Sequence, residues 1–388
     1  MTRGGEDLKR FRNLVWNIFR KGDMLLLSLC VIATIFGIVM IDAVMGEEGT
    51  RNMIVQIGTL VGGIILYLVF TGIDIEIFAG QRTLLFVFNV IFIGMLIPFG
   101  VESDVGNDSW MRLPFLPFNI QPAEVCKITY IIILAKTMSN NRTRLSSVRN
   151  VAAITFHVLF IVGYNLVLSK DMGVSLIYVF IFIAIAYVGG VKFYWFLLAG
   201  GVLAALSPLI WKYAIQGYMK QRIMAVFDPS IDPTGWGILW QTTLSLKCFR
   251  NGGFKGLGLY NGRVSQGDLP AKHTDSIFSS VGEQLGFLGC VFVLLLLLAI
   301  VARIIYIAMK TPDYLNHLVC IGIAAMFLFQ IIINIGVCLG LVPVIGLALP
   351  FVSYGGSSIL TCFAAVGIVS GIKMRPAPDM SAHYIRSY

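Results

Sequence analysis

Asp275 is the first residue that could do chemistry here, because it stands where a long polar loop meets an apolar run. It closes the segment Leu269-Pro270-Ala271-Lys272-His273-Thr274-Asp275, and the apolar run beyond it carries Glu283. On a helix, eight steps would leave the two carboxylates about 80° apart in azimuth and about 12 Å apart along the axis. They could face one cavity but could not share a proton. A carboxylate inside an apolar run marks a functional site by default, with a structural ion pair or interhelical hydrogen bond as the plain alternative. Glu124 and Lys127 open another run three residues apart, on one helical face. They read as a ligand site or as a self-satisfied pair. Asp171, with Gly173 behind it, opens a third run, where it would also serve as a helix N-cap. The stretch from Gly340 to Ser357 has no charge, two prolines, several glycines and the hydroxyls of Ser353 and Tyr354. Such non-helical backbone is tolerated near membrane depth only where protein buries it or it lines a cavity. The run Gly252-Gly253-Phe-Lys-Gly256-Leu-Gly258 lacks the Gly-Lys-Ser/Thr ending of a P-loop and reads as a tightly turning loop. Together these groups describe an outward-facing polar cavity with a cationic rim, suited to an anionic, lipid-linked ligand.

The elements that must position them are membrane helices. The chain has 388 residues, 57% hydrophobic and only 13% charged, against about a quarter charged in soluble proteins. Water is therefore not its main solvent, which excludes a cytoplasmic enzyme, a disordered regulator and, despite the net charge of +9, a nucleic-acid binder. Seven scattered cysteines give neither a disulfide framework nor metal-ligand spacing. Runs long enough to cross a bilayer fall at 24–46, 53–73, 83–100, 123–139, 151–168, 173–190, 193–210, 276–302, 316–341 and 357–372. The expected fold is an all-α polytopic membrane protein of about ten transmembrane helices, one membrane domain over 1–388. A large extracytoplasmic loop, 211–275, precedes the eighth span, and a smaller one covers 101–122. The first span is too long for a signal peptide and has no cleavage site after it, so it is retained. No internal repeat of the kind common in transporters is visible. Arg142, Arg144 and Arg149 crowd one short loop, whereas the short loops on the other side hold only Arg51, Arg112 and Lys170. The positive-inside rule then puts the N-terminus (1–22) and the tail (373–388) in the cytoplasm.

In this order along the chain, the segments resemble the SEDS family (shape, elongation, division and sporulation). The matching segments are Trp110, Gln121-Pro-Ala-Glu124-Val-Cys-Lys127, Asp171-Met-Gly173, Gln221-Arg222-Ile, and Asp228-Pro229 with Asp232-Pro233-Thr-Gly235. They continue through the glycine run, His273-Thr274-Asp275, Glu283-Gln-Leu-Gly286, Asn334-Ile-Gly336 and Pro350-Phe-Val-Ser353-Tyr354-Gly355-Gly356-Ser357. Each alone is weak; their order over nearly the whole chain is specific.

The resemblance implies a peptidoglycan glycosyltransferase at the outer face of the bacterial cytoplasmic membrane. It would polymerise lipid II, an undecaprenyl-diphosphate-linked disaccharide peptide, beside a class B penicillin-binding protein acting as transpeptidase. The family's essential Asp falls on Asp275, its Glu and Lys on Glu124 and Lys127, and its loop Arg on Arg222. Asp171, His273, Glu283, Ser353 and Tyr354 complete the implied substrate site. In the implied reaction a sugar 4-hydroxyl attacks the anomeric carbon of the donor, with Asp275 as general base. Arg222 and Lys127 would stabilise the departing diphosphate. No motif specifies a cofactor; a divalent cation, Mg or Mn, is compatible with that diphosphate. Departures from the family pattern mark a divergent member. They are Asn107-Asp108-Ser109 before Trp110, Ser169-Lys170 before Asp171, Cys248-Phe249-Arg250-Asn251 before the double glycine, Ala271 in place of an acid, and Ser276 after Asp275. The missing Lys before Gly346 and the short N-terminus lean the reading to the elongation, RodA-like branch, with an FtsW-like division enzyme as the alternative. A lipid II flippase and a non-catalytic, transpeptidase-activating scaffold are the rivals from other classes.

Overall fold

The computed structural model describes residues 20–101, 109–112, 118–215 and 217–375. The expectations for the N-terminal segment 1–22, the tail 373–388 and the Asn107-Asp108 stretch lie wholly or partly outside the described residues. The fold is the all-α membrane architecture expected. Its main helices are α1 (Met24–Met45), α2 (Thr50–Gly72), α3 (Arg82–Gly94), α4 (Pro122–Asn140), α5 (Val148–Ser169) and α6 (Met172–Val188). They continue as α7 (Phe193–Leu209), α8 (Gly217–Phe227), α9 (Trp240–Gly252), α10 (Ile277–Lys310), α11 (Tyr314–Cys338) and α12 (Gly356–Met374). Among the described residues eight stretches are long and apolar enough to cross a membrane. Two of the expected spans fall short of that standard. Helix α4 carries Glu124, Lys127 and Lys136, and α6 has only 17 residues.

Helix starts follow their caps. The carboxylates of Asp23, Asp171 and Asp313 accept the N–H groups of Leu26, Val174 and Asn316, satisfying donors the helix cannot. Helices α11 and α12 are buried along most of their length and form the centre of the bundle. Helix α7 buries no side chain, as expected of a span surrounded by lipid. Glycines let α12 approach α2 closely: a Cβ at Gly63 would lie 2.6 Å from the Phe363 ring. At the ends of α10 and α12 remote from Asp275, the fully buried Asp23 accepts from Arg303 Nε (2.9 Å) and pairs with Lys373 Nζ (3.0 Å). Tyr67 Oη donates to the Asp23 carbonyl (2.9 Å) and accepts from Ser370 Oγ (2.8 Å). This knot ties α1, α2, α10 and α12 together, and α10 runs on past Arg303 to Lys310 rather than ending near 302.

The 211–275 segment is more ordered than a loop. Helix α9 lies against α10 and buries Leu244, Ser245 and Cys248. Helix α10 is itself broken at Gly286 (φ 66°, ψ −162°), and the glycine run enters the break. The N–H groups of Leu257 and Gly258 donate to the carbonyls of Glu283 (3.0 Å) and Gln284 (2.9 Å), and that of Phe287 donates to the Gly253 carbonyl (2.9 Å). Helical hydrogen bonds lost at the kink are thus remade across the loop, as backbone at this depth requires. Close approach, rather than a tight turn alone, explains the glycines: a Cβ at Gly252 would lie 1.9 Å from the Gly282 carbonyl oxygen. Gly252→Ala should therefore destabilise the protein by about 1–3 kcal/mol, seen as a lower melting temperature of the detergent-purified chain. Gly201→Ala on α7, where an added Cβ meets nothing within 4 Å, should leave it unchanged.

Candidate active site

Three consecutive carbonyls around Asp275 are each held. Tyr354 N–H donates to the His273 carbonyl (2.8 Å) and Ser353 Oγ to that of Thr274 (2.7 Å). Asn334 Nδ2 donates both to the Asp275 carbonyl (2.8 Å) and to that of Leu347 (2.7 Å). Ala271, in the left-handed region at φ 50°, turns the chain so that its carbonyl accepts from the N–H groups of Thr274 and Ser276, both at 3.0 Å. On the far side of the loop between α11 and α12, Gln56 of α2 donates through Nε2 to the Ser353 carbonyl (3.2 Å) and accepts the Gly355 N–H (3.4 Å). His273 packs edge-on to the Tyr354 ring at 5.5 Å. Burial, helped by Lys272, holds its imidazole below the ordinary histidine value, in the neutral form.

The Asp275 carboxylate itself is half-buried, and among the described residues no group donates a hydrogen bond to it. Gly346, at φ 70°, brings the last loop alongside: a Cβ there would lie 3.6 Å from Asp275 Oδ2. Burial first, then the charge of Asp171, push Asp275 up to about 6. Asp171 is buried at the start of α6, where Oδ1 accepts the Val174 N–H (3.0 Å) and Oδ2 accepts Gln121 Nε2 (2.8 Å). Burial chiefly, with Glu124 adding to it, raises this acid to about 6 as well. Asp171 is thus both the cap its position suggested and a neighbour of Asp275.

Arg222 reaches the same loop from α8. Its Nη1 donates to the Val344 carbonyl (3.0 Å) and Nη2 to Tyr218 Oη (2.7 Å), with the guanidinium 4.6 Å above the Tyr218 ring. Its Nε is buried without a partner among the described residues. Two other expected site residues take different positions. Lys127, 1% exposed, pairs with Glu124 at 2.6 Å and presents no charge to a rim, because an unpaired ammonium inside the bundle would be costly. Glu283 accepts from Asn251 Nδ2 (2.8 Å) and from the N–H groups of Val264 (3.1 Å) and Ser265 (2.7 Å), so it stitches the loop to α10 instead of facing Asp275. Helix α10 begins only at Ile277, so helical spacing does not relate the two acids. Gln56 was absent from the expected site. A glutamine inside an apolar run, which must find partners within the bundle, was the available signal.

Among the described residues no group of three or more His, Cys, Asp or Glu is placed to hold a metal ion. An apolar cavity of about 500 Å³ opens between α2, α3, α4 and α12, lined by Phe70, Phe88, Phe92, Phe118, Ile128 and Ser357 among others. Ser357 Oγ accepts the Gln121 N–H at 3.3 Å, so the cavity adjoins the residue that holds Asp171.

The FtsW/RodA/SpoVE family model, described as "Cell cycle protein", matches residues 20–377. The chain is 34% identical over 374 residues to a probable peptidoglycan glycosyltransferase FtsW of Trichlorobacter lovleyi, covering 93% of this chain and 96% of the relative. It is 28% identical over 318 residues to the peptidoglycan glycosyltransferase MrdB of Escherichia coli K12, covering 82% and 84%. It is 34% identical over 267 residues to the stage V sporulation protein E of Bacillus subtilis, covering 69% and 71%. Among solved structures, it matches a chain from work on the coordination of polymerization and crosslinking by a peptidoglycan synthase complex, with TM-score 0.77 and 27% identity over 91% of this chain and 97% of that one. The fold also matches the Rod shape determining protein RodA of Thermus thermophilus, with TM-score 0.68 and 24% identity over 92% and 98%.

The enclosed ion pair makes a separable prediction. Lys127→Met would leave Glu124 as an uncompensated buried acid and should destabilise by about 3–5 kcal/mol. Adding Glu124→Gln should restore most of the melting temperature, read by thermal unfolding of the purified protein.

Proposed function

The chain belongs to the FtsW/RodA/SpoVE (SEDS) family of peptidoglycan glycosyltransferases, and from that premise we propose that Asp275 is the general base with which it polymerises lipid II. The observation that carries the assignment is a carboxylate fixed through its backbone yet free of any hydrogen-bond donor among the described residues. A sugar hydroxyl is a poor nucleophile, and a positioned base with a value near the working pH is the device that activates it. Asp275 takes the proton of the acceptor's 4-hydroxyl as that oxygen bonds to the donor's anomeric carbon. The bond from that carbon to the diphosphate breaks, and its electron pair leaves with the undecaprenyl diphosphate. Arg222, with its unpartnered Nε and its hold on Val344, is the base nearest in role to that developing charge. Lys127 keeps Glu124 neutralised and takes no direct part. The apolar cavity beside Ser357 is of a size that binds small ligands, and in this reading it receives part of the prenyl chain.

Relatives named FtsW and MrdB both match, so the reading rests on the chemistry they share rather than on division or elongation. The likeness to a chain of a peptidoglycan synthase complex supports a transpeptidase partner of the class B penicillin-binding type. A pure scaffold would make every buried polar group structural. Glu283 and Lys127 fit that description, but the unclaimed Asp275 does not.

Asp275→Asn should reduce glycan strand synthesis from purified lipid II by about 10²–10⁴-fold with an unchanged melting temperature. The assay uses the whole chain, alone and with a candidate transpeptidase; near-wild-type synthesis by the folded variant would remove the assignment. In this reading the Asp275 end of the bundle faces outward. A cysteine at the exposed Ser230, in a background without native cysteines, should react with an impermeant thiol reagent on intact cells. One at the exposed Thr143 should react only after permeabilisation; the reverse pattern would put the base on the wrong side.

A further inference from the structure

We propose that Asn334 is a positioning residue for Asp275: its buried amide staples the backbone carbonyl of the base to the carbonyl of Leu347, and so sets where the carboxylate stands. The inference rests on the reading of Asp275 as the general base. Asn334 lies on α11 and is 1% exposed. Its Nδ2 carries two hydrogens, and each has an acceptor, at 2.8 Å on Asp275 and 2.7 Å on Leu347. One turn further along the same face, Cys338 directs Sγ at the same Asp275 carbonyl (3.5 Å), while its own carbonyl accepts Ser245 Oγ (2.6 Å). One face of α11 therefore holds the backbone of Asp275 while leaving its side chain alone.

That arrangement solves a conflict between position and basicity. A donor placed directly on the carboxylate would fix it well but would stabilise the charged form and weaken the base. Holding the adjacent carbonyl fixes the same atoms at one remove and leaves both carboxylate oxygens available. The titratable groups around Asp275 are Asp171 at the start of α6, with Glu124 and Lys127 of α4 behind it, and the Cys338 thiol of α11 against its carbonyl. Arg222 of α8 approaches through Val344. None of these contacts the Asn334 amide, so its removal alters placement without changing local charge. Asparagine is specified chemically: an aspartate would turn acceptor oxygens toward two carbonyls, and an aliphatic residue would leave both carbonyls short of a donor.

The test is steady-state polymerisation of purified lipid II by the full chain, for Asn334→Ala, Asn334→Asp and Asn334→Gln, with Asp275→Asn as reference. Displacing a base by about 1 Å costs about 100-fold, so Ala and Asp should lower kcat by about that factor while KM for lipid II stays within about twofold. In the Ala variant the acid limb of the kcat–pH profile should also move to lower pH, because a carboxylate raised by burial falls when it relaxes toward more polar surroundings; in the Asp variant the added negative charge opposes that shift. Gln, which keeps both N–H donors, should recover most of kcat and return the limb. If Asn334→Ala is too unstable to purify, Asn334→Ser, which adds no charge and is too short to bridge the two carbonyls, carries the same readouts. A wild-type kcat, a loss equal to the loss of folded protein with an unmoved acid limb, or a Gln variant no better than Ala would each overturn the proposal. Activity of Asp275→Asn would instead overturn the assignment of the base, so the two failures are distinguishable.

Discussion

Backbone that leaves the helix near the hydrocarbon has to find every hydrogen bond within the protein, and the half of this molecule around Asp275 is arranged to meet that requirement. The carbonyls of His273, Thr274 and Asp275 are met in turn by Tyr354 N–H, Ser353 Oγ and the Asn334 amide. Gln56 closes the far side of the same loop, at Ser353 and Gly355. The Gly286 break in α10 obeys the same rule, with the glycine run supplying the missing partners. Two irregular segments therefore hold each other in place, and Asp275 sits where they meet.

Charge follows a parallel logic. Asp23 is matched by Arg303 and Lys373, Glu124 by Lys127, and Glu283 by an amide and two backbone N–H groups. Each of these acids is neutralised or fully hydrogen-bonded, as burial demands. Asp275 is half-buried, unclaimed and raised to about 6. A local rule broken at one point and kept at the others is the pattern expected of a functional group in a stable scaffold. The Asp23 knot adds mechanical sense, since it pins the remote ends of α10 and α12, whose near ends adjoin the site.

Much of this was legible in the sequence because hydropathy is a long-range signal. The expected spans correspond to helices, and Asp275, Asp171, Arg222, His273, Ser353 and Tyr354 do gather around the loop between α11 and α12. What failed was local. Spacing allowed Glu283 and Asp275 to face one cavity, but Asp275 precedes α10, and the periodicity of an α-helix says nothing about a residue outside it. Spacing put Lys127 and Glu124 on one face correctly, yet could not say whether that face met a cavity or packed protein. Helix α9 was folded into a loop because its pattern is amphipathic and short, without the hydropathy of a span. Gln56 and Asn334 act through single amides, and a lone amide in an apolar run shows that a partner exists without naming it.

The account stands on the environment of one carboxylate, and the rate–pH profile of the wild-type protein reports on it most directly. With saturating lipid II, polymerisation should rise with pH through an acid limb near 6, because the base must lose its proton and burial raises the value at which it does so. The rate should then level off above the limb. A rate that stays flat from about pH 5 to 8, or a limb at the ordinary aspartate value of about 4, would contradict the account: the reaction would then not depend on a half-buried, unclaimed Asp275.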